Sequence, residues 1–374
     1  MITRHYHDLE KFLKANKVLL ILGPRQAGKT TLMEEYLKQS GFRYKQVSGD
    51  DLLIHQSLGS QELSTLKAFC EGYDLLAIDE AQKIPDIGIN MKMIVDHIPG
   101  IRVIATGSSS FELAGQTGEP LTGRKTTLFL YPVSQSEMLN HYNRFEIGEK
   151  LEEFLIYGSY PAVITAKTRE EKLQLLNEIT GSYLFKDILA FERIRSPQLL
   201  LDLLRLLAFQ IGNEVSVNEL SKQLAKDNKT VKRYLELLER SYILYQLRGY
   251  SGNLRKEIRK QPKYYFYDTG IRNALIANFN SLGIRNDTGQ LWENFLVMER
   301  LKKQAYQPIY ANNFFWRTWS KQEVDFVEER EGKLFGYEFM WSQEKIKIPA
   351  LWKESYPQSS FEIISRENYL DFII

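Results

Sequence analysis

Short apolar runs alternate with helical patterns through the first 132 residues. Buried strands that alternate with helices are typical of an open parallel sheet, so we predict an α/β fold for residues 1–132. The predicted strands lie at 18–22, 42–47, 75–80, 101–108 and 126–131, and the helical patterns lie at 31–38, 61–70 and 89–98.

A glycine-rich segment follows the first apolar run. Residues 23–30 read Gly-Pro-Arg-Gln-Ala-Gly-Lys-Thr, which is the G-x-x-x-x-G-K-[ST] spacing of a phosphate-binding loop. The glycines let successive N–H groups point at phosphate oxygens, and the helix that starts near Lys29 adds its positive end. Lys29 is placed to reach the outer phosphates, and Thr30 offers a hydroxyl to Mg²⁺. We predict that ATP binds here with Mg²⁺, at Gly23, Pro24, Arg25, Gln26, Ala27, Gly28, Lys29, Thr30 and Thr31.

The run that starts at Leu75 ends in two carboxylates, Asp79 and Glu80. In a parallel sheet the carboxyl end of this strand lies beside the phosphate loop. We therefore predict that Asp79 holds Mg²⁺ and that Glu80 orients or deprotonates the attacking water. The next strand ends in hydroxyls, and Thr106 or Ser108 is placed to sense the γ-phosphate. A strand-end turn explains these two hydroxyls equally well.

Arg124 precedes the last predicted strand of this region. It is a candidate finger that stabilises charge on the transferring phosphate, either in cis or from a neighbouring subunit. Action in trans requires a homo-oligomer. The alternative is a solvated or salt-bridged arginine.

The order of these motifs resembles that of the AAA-type P-loop ATPases. It is more closely similar to a bacterial and archaeal family with a C-terminal domain of unassigned function. The resemblance implies an ATP-binding domain (1–132), a helical lid (133–198) that moves with nucleotide state, a winged helix (199–270) and a restriction-endonuclease-like domain (271–374). The motifs that carry it are Gly-Pro-Arg-Gln-x-Gly-Lys-Thr (23–30), Asp-Glu-x-Gln-Lys (79–83), Thr-Gly-Ser-Ser (106–109), Leu-x-Gly-Arg (121–124) and further matches at 157–161, 182–187 and 265–270.

The residues themselves also predict a helix-turn-helix. Ser216 suits the N-cap of a short helix, and a turn at 227–228 leads into a second helix over 229–239. Runs at 242–247 and 264–267 then form a wing-like hairpin.

Local charge favours DNA as a partner of this region. Residues 217–263 contain twelve Lys and Arg against five Asp and Glu, an excess of seven, whereas the whole chain has a net charge of +2. Winged helices also serve as packing modules, so both readings stay open. The candidate phosphate contacts are Lys229, Lys232, Arg233, Arg255, Lys256, Arg259 and Lys260.

The last part of the chain has the layout of a nuclease. With Glu331-Gly332 as a hairpin turn, Asp325 and Glu338 oppose each other on one face, and Glu293 lies on the preceding helix. These three acids are a candidate second metal site in a frame similar to restriction endonucleases. Met340 stands where that frame has a lysine and cannot supply the positive charge, so nuclease activity is not expected unless Lys345 substitutes.

Composition adds few restrictions. A chain of 374 residues with 43% hydrophobic and 26% charged residues is ordinary for globular proteins and long enough for several domains. The single Cys70 excludes an internal disulfide, and no apolar stretch is long enough to cross a membrane. We expect a cytoplasmic protein without membrane partners.

Three functions are compatible with these motifs. The first is a Mg²⁺-dependent AAA-type ATPase whose lid and winged helix respond to nucleotide. The second is a switch that binds ATP and DNA or a protein but barely hydrolyses ATP. The third is an ATP-gated, metal-dependent nuclease.

Overall fold

The structure is a computed structural model, and it describes residues 2–107, 121–183, 196–251, 261–318, 320, 322–342 and 348–374. The chain forms two units. The first consists chiefly of residues 3–132, together with 240–242. The second consists chiefly of residues 133–239 and 243–374.

A five-stranded parallel sheet forms the centre of the first unit. Its strand order is β2-β3-β4-β1-β5, so β4 lies between the strand that precedes the phosphate loop and the strand that ends in Asp79. All five residues of β1 are buried, as expected for a parallel strand covered on both faces. The strands are β1 (Val18–Leu22), β2 (Tyr44–Ser48), β3 (Leu75–Asp79), β4 (Arg102–Gly107) and β5 (Lys125–Phe129).

Helices pack against the sheet of the first unit. Alternate residues of β1, namely Val18, Leu20 and Leu22, join one hydrophobic cluster with residues of the third and fourth helices. The side-chain period of two in a strand explains this alternation. The helices are α1 (Lys29–Gln39), α2 (Leu52–Leu58), α3 (Leu63–Cys70) and α4 (Ile87–His97), with 3₁₀ turns at Leu9–Lys11 and Ala81–Lys83.

The second unit contains a six-stranded sheet of order β11-β10-β9-β8-β6-β7. The predicted wing hairpin is present as the antiparallel pair β6 and β7, and β6 also pairs in parallel with β8. The hairpin is therefore continuous with the carboxyl-terminal sheet. The strands are β6 (Leu244–Gly249), β7 (Lys263–Phe266), β8 (Asn312–Arg317), β9 (Glu323–Arg330), β10 (Lys333–Phe339) and β11 (Ser360–Ile364).

Helices surround this second sheet, and the longest, Thr288–Tyr306, is buried along most of its length. Ser216 caps the first helix of the predicted helix-turn-helix by accepting a hydrogen bond from the Glu219 N–H. The helices are Gln135–Met138, Arg144–Glu149, Leu151–Tyr157, Pro161–Thr165, Arg169–Glu178, Pro197–Phe209, Val217–Gln223, Asn228–Arg240, Thr269–Leu275, Thr288–Tyr306, Ala350–Ser355 and Tyr369–Ile373, with a π-helical turn at Ile179–Tyr183 and a 3₁₀ turn at Leu282–Ile284.

The α/β fold with a parallel sheet after the phosphate loop is confirmed. The finer division into lid, winged helix and restriction-endonuclease-like domain stays a prediction. Within the described ranges, no helix is both long and apolar enough to span a bilayer.

Candidate functional site

Two glycines shape the turn between β1 and α1. Gly28 has a φ of 96° and lies directly before the first residue of α1. Gly23 has a φ of 150°, and a Cβ added there would lie 2.1 Å from the Leu130 carbonyl oxygen. Any side chain at position 23 would therefore collide with backbone, and a side chain at 28 would be strained. Both glycines are required by this loop geometry, as the motif predicts.

The Lys29 side chain lies along its own loop. It is only 5% exposed, and its Nζ donates hydrogen bonds to the carbonyl oxygens of Gly23 (3.0 Å) and Pro24 (2.8 Å). The loop therefore holds a positive charge next to the backbone turn and the positive end of α1. This combination is suited to an anion with several negatively charged oxygens, such as a polyphosphate.

Three strand ends come together beside the loop. Thr30 Oγ1 donates a hydrogen bond of 2.8 Å to Asp79 Oδ1, although 49 residues separate them. Thr106, at the end of the intervening strand β4, donates to the same oxygen at 2.5 Å. A hydroxyl and a carboxylate are the oxygen ligands that Mg²⁺ prefers, so these side chains fit the ion predicted here.

Thr106 also connects the Asp79 carboxylate to the backbone of Glu80. Its Oγ1 accepts a hydrogen bond of 3.1 Å from the Glu80 backbone N–H while it donates to Asp79. The structure thus places Thr106 next to the predicted magnesium ligand. Its predicted role as a sensor stays a prediction, and Ser108 lies outside the described residues.

Glu80 is held by two neighbours that the sequence reasoning did not single out. Its backbone is left-handed, with a φ of 49°. Gln82 Nε2 donates to Glu80 Oε2 at 2.7 Å, and Lys83 Nζ lies 3.9 Å from the same oxygen. Lys83 also pairs with Asp50 at 2.5 Å. The sequence Asp-Glu-x-Gln-Lys could have predicted these two neighbours, because it places an amide and a cation within three residues of Glu80.

Arg124 does not lie at the phosphate loop. Its carbonyl oxygen accepts the N–H of Val18, so it lies at the start of β1 and β5, whereas the loop follows the end of β1. Five strand residues separate the two edges, about 16 Å at the usual rise per residue. Its Nε donates to Asp96 at 2.5 Å, and this hydrogen bond lowers the Asp96 pKa. A finger role in cis is therefore excluded by the parallel register, and a role in trans stays a prediction.

The basic residues predicted to meet DNA fall into two groups. Lys229, Lys232 and Arg233 are exposed on the helix Asn228–Arg240, while Val231 and Leu235 face inward, in agreement with the predicted periodicity. Four more predicted contacts lie outside the described residues: Arg255, Lys256, Arg259 and Lys260.

The predicted hairpin of the nuclease-like frame is formed. Arg330 pairs with Lys333 around the turn at Glu331 and Gly332, both with positive φ, and the register continues outward from this pair. The Phe339 N–H donates to Asp325 Oδ2 at 2.9 Å. Burial, followed by the charges of Glu293 and Glu338, raises the Asp325 pKa well above its usual value.

A buried lysine occupies this acidic region. Lys263, on β7, is 2% exposed, and its Nζ lies 2.9 Å from Glu293 Oε1 and 2.7 Å from Glu323 Oε1. Burial by itself would lower its pKa, but the charges of Glu293, Asp325 and Glu323 raise it above the usual value. An ammonium group thus supplies the positive charge that opposed carboxylates require.

The candidate second metal site is therefore not formed. Among the described residues, no three His, Cys, Asp or Glu side chains are grouped so that they could hold a metal ion. Glu293 instead bonds Lys263 and the Tyr265 hydroxyl, the latter at 2.6 Å. Lys345 lies outside the described residues, and Met340 is buried. Lys263 could not be inferred from motif spacing, because it lies 30 residues before Glu293 and approaches it only where β7 packs against the helix Thr288–Tyr306.

Glu338 gives this region a pH dependence. Burial, then the charges of Glu323 and Glu293, raises its pKa to about 7, and its Oε2 has no hydrogen-bond partner in the described chain. The folded protein binds this proton more tightly than the unfolded chain, so the free energy of unfolding should fall as pH rises from about 4.5 to about 7. Glutamine does not ionise, so the free energy of unfolding of Glu338→Gln should not fall in this way. At pH 8 it should exceed that of wild type by about 1–3 kcal/mol.

Chemical denaturation at pH 5 and pH 8 measures this effect. Glu354→Gln, at an exposed position of the helix Ala350–Ser355, is the matched control and should follow wild type at both pH values. An advantage of Glu338→Gln that does not grow with pH would contradict the assignment.

Comparisons with known proteins agree with this geometry. Residues 15–139 match the AAA domain family. Residues 148–287 and 288–353 match two domains of unknown function, DUF8612 and DUF4143.

Relatives are similar along most of the chain. The uncharacterized protein Rv2008c of Mycobacterium tuberculosis is 28% identical over 338 residues, covering 88% of this chain and 71% of the relative. The uncharacterized protein MJ1544 of Methanocaldococcus jannaschii is 25% identical, covering 87% and 75%. Among solved structures, the Walker-type ATPase PABY2304 of Pyrococcus abyssi has a TM-score of 0.47 at 15% identity, covering 69% of this chain and 91% of that one. The AAA match includes the phosphate loop and the strands that end beside it, so residues 15–139 are similar to AAA domains in both sequence and loop geometry.

Proposed function

We propose that this protein binds ATP with Mg²⁺ at the loop between β1 and α1 and hydrolyses it. The observation that carries the proposal is the hydrogen bond between Thr30 and Asp79. It joins the end of the phosphate loop to the end of β3 across an intervening strand. A hydroxyl from the loop and a carboxylate from a second strand end are the pair that P-loop ATPases use to hold Mg²⁺.

Each side chain of the site has a role in this proposal. The Lys29 ammonium leaves the carbonyl oxygens of Gly23 and Pro24 and binds the outer phosphates. Thr30 and Asp79 would hold Mg²⁺, which when bound neutralises charge on the phosphate oxygens. Glu80 accepts a proton from the attacking water.

Direct measurement of ATP binding and phosphate release tests the proposal. The purified full chain should bind ATP in the presence of Mg²⁺ and release phosphate. A wild-type protein without affinity for ATP or ADP would refute it. Measurable affinity with negligible turnover, both with and without DNA, would favour the alternative function of a slow ATP-dependent switch.

A second proposed activity is DNA binding through the helix Asn228–Arg240. The observation that favours it is the exposure of Lys229, Lys232 and Arg233 on one side of a helix whose apolar residues are buried. Phosphate contacts by such residues supply salt-dependent affinity that does not depend on DNA sequence.

Charge reversal tests this second activity. Lys229→Glu combined with Lys232→Glu should weaken binding of double-stranded DNA at low salt and reduce the slope of log affinity against log salt by about 2. Fluorescence anisotropy of a labelled duplex measures both quantities. The control is Lys353→Glu, at an exposed lysine of the helix Ala350–Ser355. Equal losses in the control, or no wild-type binding at low salt, would argue against DNA as a partner.

A further inference from the structure

The segment before β1 is fixed against the first unit. Tyr6 and Leu9 are buried, and the Tyr6 ring packs edge-on against Phe12 with ring centres 5.6 Å apart. Burial and the charges of Glu10 and Asp8 raise the pKa of Tyr36, a residue of α1. The segment therefore lies beside the helix that follows the phosphate loop.

Arg4 connects this segment to the back of the phosphate loop. It is 7% exposed, and its guanidinium donates one hydrogen bond to the Ala27 carbonyl oxygen and another, at 2.6 Å, to the Tyr131 carbonyl oxygen. Ala27 lies within the loop, and Tyr131 follows the end of β5. One planar side chain thus joins two backbone carbonyls that are 104 residues apart in sequence, a separation given by their residue numbers.

The contact with Ala27 fixes the direction of an N–H group. In a trans peptide the carbonyl of one residue and the N–H of the next point in opposite directions. A guanidinium bonded to the Ala27 oxygen therefore directs the Gly28 N–H away from Arg4. No acceptor in the described part of the chain receives that N–H, so it is available to an anion in the turn.

Gly28 makes this restraint necessary. Glycine adopts positive and negative φ with similar ease, so the peptide between Ala27 and Gly28 can rotate unless something holds its oxygen. The start of the loop, at Leu22 and Gly23, is already held by Leu130. The Leu130 N–H donates a hydrogen bond to the Leu22 carbonyl oxygen at 2.7 Å, and the Leu130 carbonyl oxygen packs against Gly23. The hydrogen bond from Arg4 to the Tyr131 carbonyl oxygen attaches the guanidinium to the same segment, because Tyr131 is the residue after Leu130.

We propose that Arg4 is a positioning residue of the phosphate loop, which holds the Gly28 N–H in the orientation that binds a nucleotide phosphate. The inference rests on the proposed ATP-binding function and adds a residue outside the phosphate-loop motif. Loss of the guanidinium should weaken ADP binding about tenfold or more, the range for hydrogen bonds to charged groups.

Calorimetric titration of the full chain with ADP and Mg²⁺ tests the proposal. Measurements are made well below the Tm of each variant. Arg4→Ala should bind about tenfold more weakly than wild type. Millimolar guanidinium chloride, at constant ionic strength, should restore part of the affinity by occupying the vacated position. A merely structural role would not be rescued in this way, because guanidinium does not stabilise folded proteins in general.

Two further variants make the outcome decisive. Arg4→Lys keeps the charge but cannot hold both carbonyls in one plane, so its affinity should fall between those of Arg4→Ala and wild type. Lys14→Ala, at an exposed position of the same segment, should bind ADP like wild type. Should Arg4→Ala not fold, wild-type affinity in Arg4→Lys overturns the proposal.

The result also separates this inference from the proposed function. If the wild-type protein does not bind ADP, both the proposed function and the proposed role of Arg4 are refuted. A wild-type protein that binds ADP overturns the role of Arg4 alone if Arg4→Ala keeps wild-type affinity. The role of Arg4 is also overturned if Arg4→Ala binds ADP more weakly and guanidinium does not restore the affinity.

Discussion

Lys29→Ala should abolish ATP turnover and weaken nucleotide binding by about two orders of magnitude or more, corresponding to about 3 kcal/mol. The reason is geometric. The Lys29 ammonium is the buried cation that the phosphate-loop motif places at the start of α1, and it lies against the carbonyl oxygens of Gly23 and Pro24. Alanine leaves the backbone N–H groups in place but removes the charge that binds the outer phosphates.

Titration with a fluorescent ADP analogue and a phosphate-release assay measure the two effects of this change. Lys38→Ala is the matched control, because Lys38 lies in the last turn of the same helix and is exposed. Its binding and turnover should equal those of wild type. Near-normal turnover in Lys29→Ala would show that phosphate is bound elsewhere.

Glu80→Gln should have a different signature, in which turnover falls about 10²- to 10⁴-fold while ATP affinity is kept. Glutamine preserves the size of the side chain and can still contact Gln82, but it cannot accept a proton from water. Asp79 and its hydrogen bonds to Thr30 and Thr106 are unchanged, so Mg²⁺ and ATP should still bind. The variant should therefore accumulate bound, unhydrolysed ATP.

Rapid filtration after incubation with labelled ATP detects this accumulation, and chromatography of the bound nucleotide distinguishes ATP from ADP. Glu71→Gln, at the exposed residue after α3, is the control and should contain only what wild type contains. Wild-type phosphate release by Glu80→Gln would exclude Glu80 as the base and direct attention to another group near Asp79.

The two variants separate binding from chemistry. Loss of affinity in Lys29→Ala together with trapped ATP in Glu80→Gln would establish hydrolysis at the loop between β1 and α1. Loss of affinity without any wild-type turnover would instead support the nucleotide-dependent switch.

Much of the first unit was predictable because its signals are local. Glycine is needed at 23 and 28 for backbone reasons that act within a few residues, and the apolar run of β1 is buried on both faces. The adjacency of Asp79 to Thr30 was also predictable, because parallel strands carry their carboxyl ends to one edge of a sheet.

The position of Arg124 in the sheet could not be predicted from the sequence. Its distance in sequence from the phosphate loop does not say at which edge of the sheet it lies. Only the parallel register of β5 with β1 decides that, and it places Arg124 at the edge opposite the loop, paired with Asp96.

The acidic region of the second unit shows the same limit. The sequence predicted the hairpin of β9 and β10 and the proximity of Asp325 and Glu338, since a two-residue turn sets the register. It did not predict that the wing strand β7 would bring Lys263 against Glu293 and Glu323.

The sequence by itself therefore determined the phosphate loop, its strand and helix, and the acids that close β3, because backbone sterics and hydrophobic periodicity act over short distances. The tertiary structure alone decided the partners of Arg4, Arg124 and Lys263. Each of these cations pairs with groups far away in the chain, and the order and register of strands, which no local pattern encodes, determine which groups those are.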